Sequence, residues 1–143
     1  MNIEQLQEMW DKDCEIDDNY LGEQSVATPK LHAKYIKLLV QIKLKHTKLQ
    51  SDYNLLRKNK FRYYRGELSR DELTHLGWDQ WQGNAITMRT AQEEKLSTDP
   101  ILTKILLKKG AHEEIVSYCE TVLKSLNNRT WDLGNYVKYL QYT

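Results

Sequence analysis

The sequence predicts an all-α protein built around one long, basic, heptad-patterned helix with shorter helices before and after it. Apolar residues recur every three or four positions along most of the chain, whereas the alternation typical of strands is nearly absent. No proline or glycine lies between Pro29 and Gly66, so this stretch can form a single helix. No linker rich in glycine, serine or proline divides the sequence, and we expect one domain over residues 1–143. Its parts are an acidic head (1–28), the long basic helix (29–66), a connecting region (67–98) and a C-terminal helical part (99–143).

The acidic head predicts a short amphipathic helix over residues 3–12, followed by an acidic loop from Asp13 to Thr28. One face of this helix carries Ile3, Leu6, Met9 and Trp10.

The long helix is predicted to begin at Thr28-Pro29, because threonine is a good N-cap and proline fits the first helical position. Its apolar residues repeat every seven positions, and every a position is filled by Tyr35, Ile42, Leu49, Leu56 and Tyr63. Such a seam needs a partner helix, from this chain or from another copy.

Local signals divide the rest of the chain into short helices. Ser69 and Glu72 form a capping box that opens a helix ending at Gly77. We expect a weakly patterned helix over 86–97 and a helix with one apolar face over 112–126. Asp99-Pro100 is expected to start a helix that stops at Gly110, and Thr130-Trp131-Asp132 to open the last one.

The four tryptophans are read mainly as packing residues. Trp10 and Trp131 lie on apolar helical faces and are expected in the core. Trp78 and Trp81 lie beside glycines, where they could stack on bases, but an interface or core position is favoured.

Charge is strongly partitioned along the chain. Residues 1–29 hold eight acids and one base, a net charge of −7, whereas residues 30–70 hold twelve bases and two acids, a net charge of +10. Residues 71–143 hold eight bases and ten acids, a net charge of −2. This asymmetry indicates a polyanionic partner for the middle of the chain. Neutralisation of the basic middle by the acidic head, within one chain or between chains, remains an alternative.

The segment from Arg57 to Gly66 is the strongest functional signal, because it interleaves cations with aromatic residues. Cations bind phosphates and aromatic faces stack on unpaired bases, so this composition is typical of a single-stranded nucleic-acid site. The candidate DNA-binding residues are Arg57, Lys58, Lys60, Phe61, Arg62, Tyr64 and Arg65.

Patterns for catalysis, cofactors and membranes are missing from the sequence. The four histidines are dispersed, no glycine-rich nucleotide loop is present, and neither Cys14 nor Cys119 has a nearby histidine to activate it. We therefore expect a binding protein, not an enzyme, without metal or cofactor. No apolar run approaches a membrane span, and two isolated cysteines favour a reducing, cytoplasmic location.

These features resemble the UvsY family, the recombination mediators of T-even-type tailed phages, especially the versions found in marine phages. The resemblance covers nearly the whole chain, and the order and spacing of its pieces carry it. The matching pieces are Leu6-Gln7-Glu8, Thr28-Pro29 with Leu31-His32, Lys58-Asn59-Lys60-Phe61-Arg62-Tyr63-Tyr64-Arg65-Gly66, Ser97-Thr98-Asp99, Tyr118-Cys119 and Ser125-Leu126-Asn127-Asn128-Arg129 with Trp131.

The resemblance implies a protein that binds single-stranded DNA and loads a phage recombinase of the RecA type onto strands covered by the phage's single-strand-binding protein. Both proteins would be partners, in the cytoplasm of the infected bacterium. It also implies a ring of six or seven subunits, which we expect the heptad seam and the C-terminal helices to assemble. Lys58 and Lys60 match the family's DNA-contacting basic positions. The alternative is a coiled-coil scaffold protein whose basic helix pairs with its own acidic head.

Overall fold

The computed structural model describes residues 1–142, and within them all regular secondary structure is helical. This confirms the predicted all-α class. The helices are α1 (Ile3–Asp13), α2 (Leu21–Tyr64), α3 (Arg70–Leu76), α4 (Arg89–Ser97) and α5 (Pro100–Tyr142), with a short 3₁₀ turn (Asp18–Tyr20) before α2.

The chain forms two compact units. The first unit contains Met1–His46 together with the chain from Gly110 onward, and the second unit contains Thr47–Lys109. Helices α2 and α5 therefore each contribute one part to the first unit and one part to the second.

In the first unit, α1 packs against the opening part of α2 and the closing part of α5. Tyr35 and Ile42, two of the a positions of the heptad pattern, are buried there. The core of this unit is formed by Leu6, Tyr35, Ile42, Ile115, Cys119, Val122 and Leu126. The partner for the seam of α2 is thus supplied here by helices of the same chain.

In the second unit, the closing part of α2 packs against α4 and the start of α5. Its buried apolar residues are Tyr64, Leu96 and Leu102. Partly buried residues complete this core, among them Tyr53, Leu56, Phe61, Tyr63, Trp81 and Ile86.

Helix ends with side-chain caps lie where the sequence predicted them. Ser69 and Glu72 form the capping box of α3, and Gly77 ends that helix with a left-handed backbone at φ 73°. Asp99 caps α5, because its Oδ1 accepts the N–H groups of Ile101 and Leu102 at 2.9 and 3.0 Å.

The predicted start of the long helix was wrong. Helix α2 begins at Leu21, directly after the 3₁₀ turn, and Pro29 lies inside it. The hydroxyl of Thr28 does not cap a helix start but donates to the carbonyl of Gln24 at 2.9 Å, one turn earlier. The Thr-Pro signal is local, and it does not distinguish the first turn of a helix from a proline tolerated further in.

The predicted breaks in the C-terminal part were also wrong, because Gly110 and Thr130 both lie inside the single helix α5. A glycine costs a helix only about 1 kcal/mol relative to alanine, and the buried residues on both sides of Gly110 outweigh that cost.

Trp131 was wrongly assigned to the core, since 72% of its surface is exposed. The buried residues next to it on α5 are Arg129 and Leu133. Each is two positions from Trp131, about 200° around a helix, so the indole faces away from the core. Trp10, by contrast, packs against the first unit's core and meets Tyr35 edge-on at 5.4 Å between ring centroids.

Candidate nucleic-acid interface

The basic-aromatic segment forms the last two turns of α2 and the turn that follows them, all within the second unit. Gly66, at φ 72°, takes the left-handed conformation that ends the helix. Its N–H donates to the carbonyl of Tyr63 at 3.1 Å, and the N–H of Glu67 donates to the carbonyl of Arg62 at 3.0 Å. The seven candidate residues are therefore distributed around one helix end, and their exposure differs widely.

Lys60 and Tyr64 lie on the buried side of α2, one helical turn apart. Lys60 is only 6% exposed and Tyr64 only 5%. The ammonium of Lys60 lies 3.2 Å from Oδ2 of Asp99, and the hydroxyl of Tyr64 donates to the same oxygen at 2.5 Å. Burial and this hydrogen bond raise the pKa of Tyr64 above its usual range. Neither side chain offers its polar atom to solvent in this conformation.

An aromatic cluster surrounds these two residues. The Lys60 ammonium lies 4.3 Å from the ring centroid of Trp78 and 5.1 Å from that of Tyr63. Trp81 meets Tyr64 edge-on at 4.9 Å, and the ammonium of Lys95 also lies 4.9 Å from its ring centroid. Trp78 and Trp81 thus pack within their own unit, which accords with the preference for packing over base stacking.

The segment between α3 and α4 is held over the end of α2 by hydrogen bonds to backbone carbonyls. The hydroxyl of Tyr63 donates to the carbonyl of Asp79 at 2.7 Å, and the N–H of Ile86 donates to the carbonyl of Tyr64 at 2.9 Å. Buried Gln92 adds a bond of 2.6 Å from its amide to the carbonyl of Ile86. These bonds fix the tryptophans relative to the basic segment.

Each of the three arginines in the segment is paired with a carboxylate. Their side chains are about one-third exposed, and all pairs lie within the second unit. The pairs are Arg57–Glu93 at 2.8 Å, Arg62–Glu72 at 2.7 Å and Arg65–Glu67 at 2.7 Å. The guanidinium of Arg62 lowers the pKa of Glu72 below its usual range. The arginine side chains are therefore partly exposed, and a carboxylate already compensates the charge of each one.

Lys58 differs from the other candidates because it is exposed and forms no ion pair among residues 1–142. Phe61 is half-buried against the second unit's core, and its ring lies 5.4 Å from the guanidinium carbon of Arg65. The most accessible face of the segment thus carries Lys58 and the edges of the arginines, with Phe61 beside Arg65.

Sequence reasoning missed the acidic partners of this segment. Asp99 was recognised as a helix cap, but nothing local indicated that its second oxygen would meet Lys60 and Tyr64. Glu72 was recognised in a capping box, and its pairing with Arg62 was not foreseen. Ten residues separate Arg62 from Glu72 and thirty-six separate Arg57 from Glu93, so no helical spacing signals either pair.

The described residues offer no grouping of three or more histidine, cysteine, aspartate or glutamate side chains suited to a metal ion. None of the helices in the described chain is long and apolar enough to cross a membrane.

Comparisons with known proteins agree with this architecture. Three crystal structures of the bacteriophage T4 recombination mediator protein UvsY match the fold. One has a TM-score of 0.87 at 18% identity over 100% of both chains. A second has a TM-score of 0.84 at 19% identity, covering 99% of this chain and 97% of that one. The third has a TM-score of 0.81 at 16% identity, covering 96% of this chain and 98% of that one.

At this level of identity the crystal structures establish a shared fold, and a sequence-family model supplies the family. Curated protein sequences gave no match. Residues 9–142 match the family model described as "Recombination, repair and ssDNA binding protein UvsY". That match spans nearly the whole chain, and the chain belongs to the UvsY family of recombination, repair and single-stranded-DNA-binding proteins.

Proposed function

We propose that this protein is a recombination mediator that binds single-stranded DNA at the end of α2 and loads a RecA-type recombinase onto strands covered by single-strand-binding protein. The observation that carries the proposal is the accessible cationic face of the second unit, where exposed Lys58 lies on the same helix end as Arg57, Arg62 and Arg65. Family membership and the fold shared with the T4 recombination mediator support it.

The chemistry of this face suits binding without sequence preference. Lysine and arginine neutralise phosphates and release counterions, which gives affinity that falls steeply with salt. Phe61, half-buried beside Arg65, offers a ring to an unpaired base. Such stacking is worth about 1–3 kcal/mol per base and favours single strands, because bases in a duplex are already stacked. A strand can approach Lys58 without breaking any ion pair, whereas each arginine must first exchange its carboxylate for a phosphate.

Self-association would raise the affinity of so small a site. We propose a ring of six or seven copies, which would present several such helix ends to one strand and gain affinity by multivalency. The exposed aromatic residues near the end of α5 support self-association through this part of the helix. Trp131 is 72% exposed, Tyr139 62% and Tyr142 91%. Exposed apolar surface of this kind is typical of surfaces that other protein chains cover.

DNA binding is tested by fluorescence anisotropy of a labelled oligonucleotide, single-stranded and duplex, that is short enough to contact only one helix end, across a salt series. Lys58→Ala is compared with Lys124→Ala, which removes an exposed lysine from the first unit. We expect preferential single-strand binding, and a plot of log affinity against log salt whose slope falls by about one for Lys58→Ala alone. Equal slopes for the two variants would remove Lys58 from the site.

Ring formation is tested by sedimentation velocity with a Trp131→Ala/Tyr139→Ala variant. We expect smaller assemblies and weaker binding to long oligonucleotides, with an unchanged helical circular dichroism spectrum. A Tyr20→Ala variant, at a tyrosine that is 54% exposed in the 3₁₀ turn, is the control. An unchanged sedimentation coefficient for the double variant would exclude this surface from the assembly.

Loading is tested on oligonucleotides that are first covered with the phage's single-strand-binding protein. Recombinase is then added, and its DNA-dependent ATP hydrolysis is followed with and without this protein. A shorter lag with the wild type, and no shortening with Lys58→Ala, is the expected result. An identical lag in all three reactions would contradict the loading step while leaving DNA binding intact.

The scaffold alternative rests on one contact in the first unit. Asp13 of the acidic head pairs with Lys34 of α2 at 2.6 Å, so head and helix do neutralise each other there. The basic residues at the end of α2 take their carboxylates from residues 67–99 instead. The anisotropy experiment separates the two functions, because an absence of oligonucleotide binding at low salt would favour the scaffold.

A further inference from the structure

The cluster around Lys60 contains a lysine ammonium that is almost completely removed from solvent. Its side chain is 8% exposed and that of its partner Asp99 is 0% exposed. The ammonium lies among three aromatic rings as well, with centroid distances of 4.3 Å to Trp78, 5.1 Å to Tyr63 and 5.8 Å to Tyr64. Aromatic faces stabilise a cation most strongly when water is excluded, so this environment suits a permanently internal charge.

We propose that Lys60 is a positioning residue of the single-strand site and does not itself contact phosphate. Its ammonium pairs with Asp99 and holds the last turn of α2 against the start of α5, so that Lys58 and the neighbouring arginines project together toward solvent. The inference rests on the proposed function, since it assigns roles within the site proposed above.

The first argument is the position of the two lysines on α2. Lys58 and Lys60 are two residues apart, and therefore about 200° apart around the helix axis. Lys58 is exposed, whereas Lys60 is buried in the second unit, where its ammonium lies beside Asp99 and Trp78. One strand of DNA lying along the exposed face cannot meet both ammonium groups unless the helix end is unpacked.

The second argument is the state of Asp99. Both of its oxygens are occupied: Oδ1 accepts the N–H groups of Ile101 and Leu102, and Oδ2 accepts from Tyr64 at 2.5 Å and lies 3.2 Å from Lys60. A phosphate that captured Lys60 would leave this carboxylate buried without its cation. An unpaired charge in such a place is strongly unfavourable, so the internal pair persists when DNA binds.

The third argument is what the pair connects. Asp99 caps α5, Tyr64 and Lys60 belong to the last turns of α2, and Trp78 belongs to the segment after α3. One carboxylate and one ammonium therefore join three pieces of the second unit. Loss of either charge alone would loosen the helix end that carries Lys58, whereas loss of both would leave no buried charge unpaired.

The experiment is a double-mutant cycle with Lys60→Met, Asp99→Asn and the combined variant. It is read by anisotropy of the same short single-stranded oligonucleotide across a salt series. Methionine keeps the length and polarisability that suit the aromatic rings, and asparagine still caps a helix. We expect about tenfold weaker binding for each single variant with an unchanged salt slope, and recovery to within about threefold of wild type for the double variant. Lys58→Ala, by contrast, lowers the slope by about one, and adding Asp99→Asn does not restore it.

A direct phosphate contact by Lys60 gives the opposite pattern. Lys60→Met and the double variant would then both lose about one in slope, and Asp99→Asn alone would tighten binding by freeing the ammonium. That result would overturn the positioning role while leaving the proposed function standing. Absence of single-strand binding by the wild type would overturn both.

Circular dichroism and thermal unfolding establish that each variant is folded before binding is measured. If a single variant does not fold, the double variant decides alone, because it contains no unpaired buried charge. A wild-type slope in a folded double variant supports the positioning role, and a slope lower by about one overturns it.

Discussion

Tyr35 and Asp13 are joined by a hydrogen bond of 2.8 Å from the phenol hydroxyl to Oδ2 of the carboxylate, and this bond attaches the last residue of α1 to α2. The same oxygen lies 2.6 Å from the ammonium of Lys34. Tyr35 is fully buried, and burial together with this bond raises its pKa above the usual range. A part-buried polar contact therefore joins the end of α1 to the buried Tyr35 in the first unit.

Removing the Tyr35 hydroxyl should destabilise the protein. Tyr35→Phe keeps the ring and leaves Asp13 without one donor, and we expect the free energy of unfolding to fall by about 1–3 kcal/mol. Urea denaturation followed by circular dichroism measures it. Tyr20→Phe is the matched control, because Tyr20 is 54% exposed and should change stability by less than about 0.5 kcal/mol. Equal midpoints for the two variants would contradict the prediction.

Leucines on two sides of α5 should differ sharply in their effect on stability. Leu102 is 1% exposed in the second unit's core, whereas Leu107, on the same helix, is 72% exposed. Leu102→Ala should lower the free energy of unfolding by about 2–5 kcal/mol, because it removes buried methyl groups and leaves a cavity. Leu107→Ala should cost less than about 0.5 kcal/mol. Similar losses in urea denaturation would show that the burial of Leu102 is not maintained in solution.

The contribution of Asp99 to stability should depend on pH. Burial opposes its ionisation, but hydrogen bonds from Tyr64, the Leu102 N–H and Lys60 outweigh that effect and hold its pKa below the usual value. A carboxyl with a lowered folded pKa stabilises the protein above its unfolded pKa, about 3.9, and loses that contribution as the pH falls through the folded pKa. The stability difference between wild type and Asp99→Asn should therefore be largest near neutral pH and shrink below about pH 4.

The measurement is urea denaturation of wild type and Asp99→Asn from pH 7 down to pH 3. Asp132→Asn, at an exposed aspartate on the same helix, controls for the loss of one negative charge. A difference for Asp99→Asn that stayed constant over this range would show that its carboxylate is not specially stabilised in the folded protein.

Freeing an arginine from its carboxylate should strengthen DNA binding. Glu93 is exposed on α4 and pairs with Arg57 at 2.8 Å. In the Glu93→Gln variant, a phosphate can bind Arg57 without first displacing a carboxylate. Breaking such an exposed ion pair costs about 0.2–1 kcal/mol. We therefore expect about 1.5- to 5-fold tighter single-strand binding, with a salt slope steeper by up to about one.

The control for that gain is Glu114→Gln, which removes an exposed carboxylate from α5 in the first unit. It makes the same change in net charge at a site outside the second unit. If both glutamine variants bind more tightly by the same factor, overall charge is responsible and the Arg57–Glu93 pair is not.

Local capping signals predicted helix ends well, and long-range packing explains where the sequence misled. Ser69, Glu72 and Gly77 define α3 through bonds within a few residues, so their pattern is legible in the sequence. Gly110 and Pro29 carry equally strong local signals but lie inside helices. The residues that overrule them, such as Ile115 and Tyr35, are buried by helices distant in sequence.

In the candidate site, too, the sequence predicted local features and did not predict the packing of distant residues. Composition alone identified residues 57–65 as a basic-aromatic segment, and helical spacing alone shows that Lys58 and Lys60 face different directions. The sequence did not predict which of the two lysines faces solvent. The heptad seam continues to Tyr63 and gives no sign that a lysine near it is buried. Lys60 can be buried because folding places Asp99 and Trp78 beside its ammonium.

The sequence by itself determined the all-α class, the charge partition, the ends of α3 and the cap of α5, since each depends on residue types and contacts close along the chain. Tertiary structure alone decided that Lys58 meets solvent while Lys60 and Tyr64 are internal. The physical reason is desolvation. A lysine charge is costly to bury unless a carboxylate is buried with it, and folding brings that carboxylate from a residue thirty-nine positions later, Asp99.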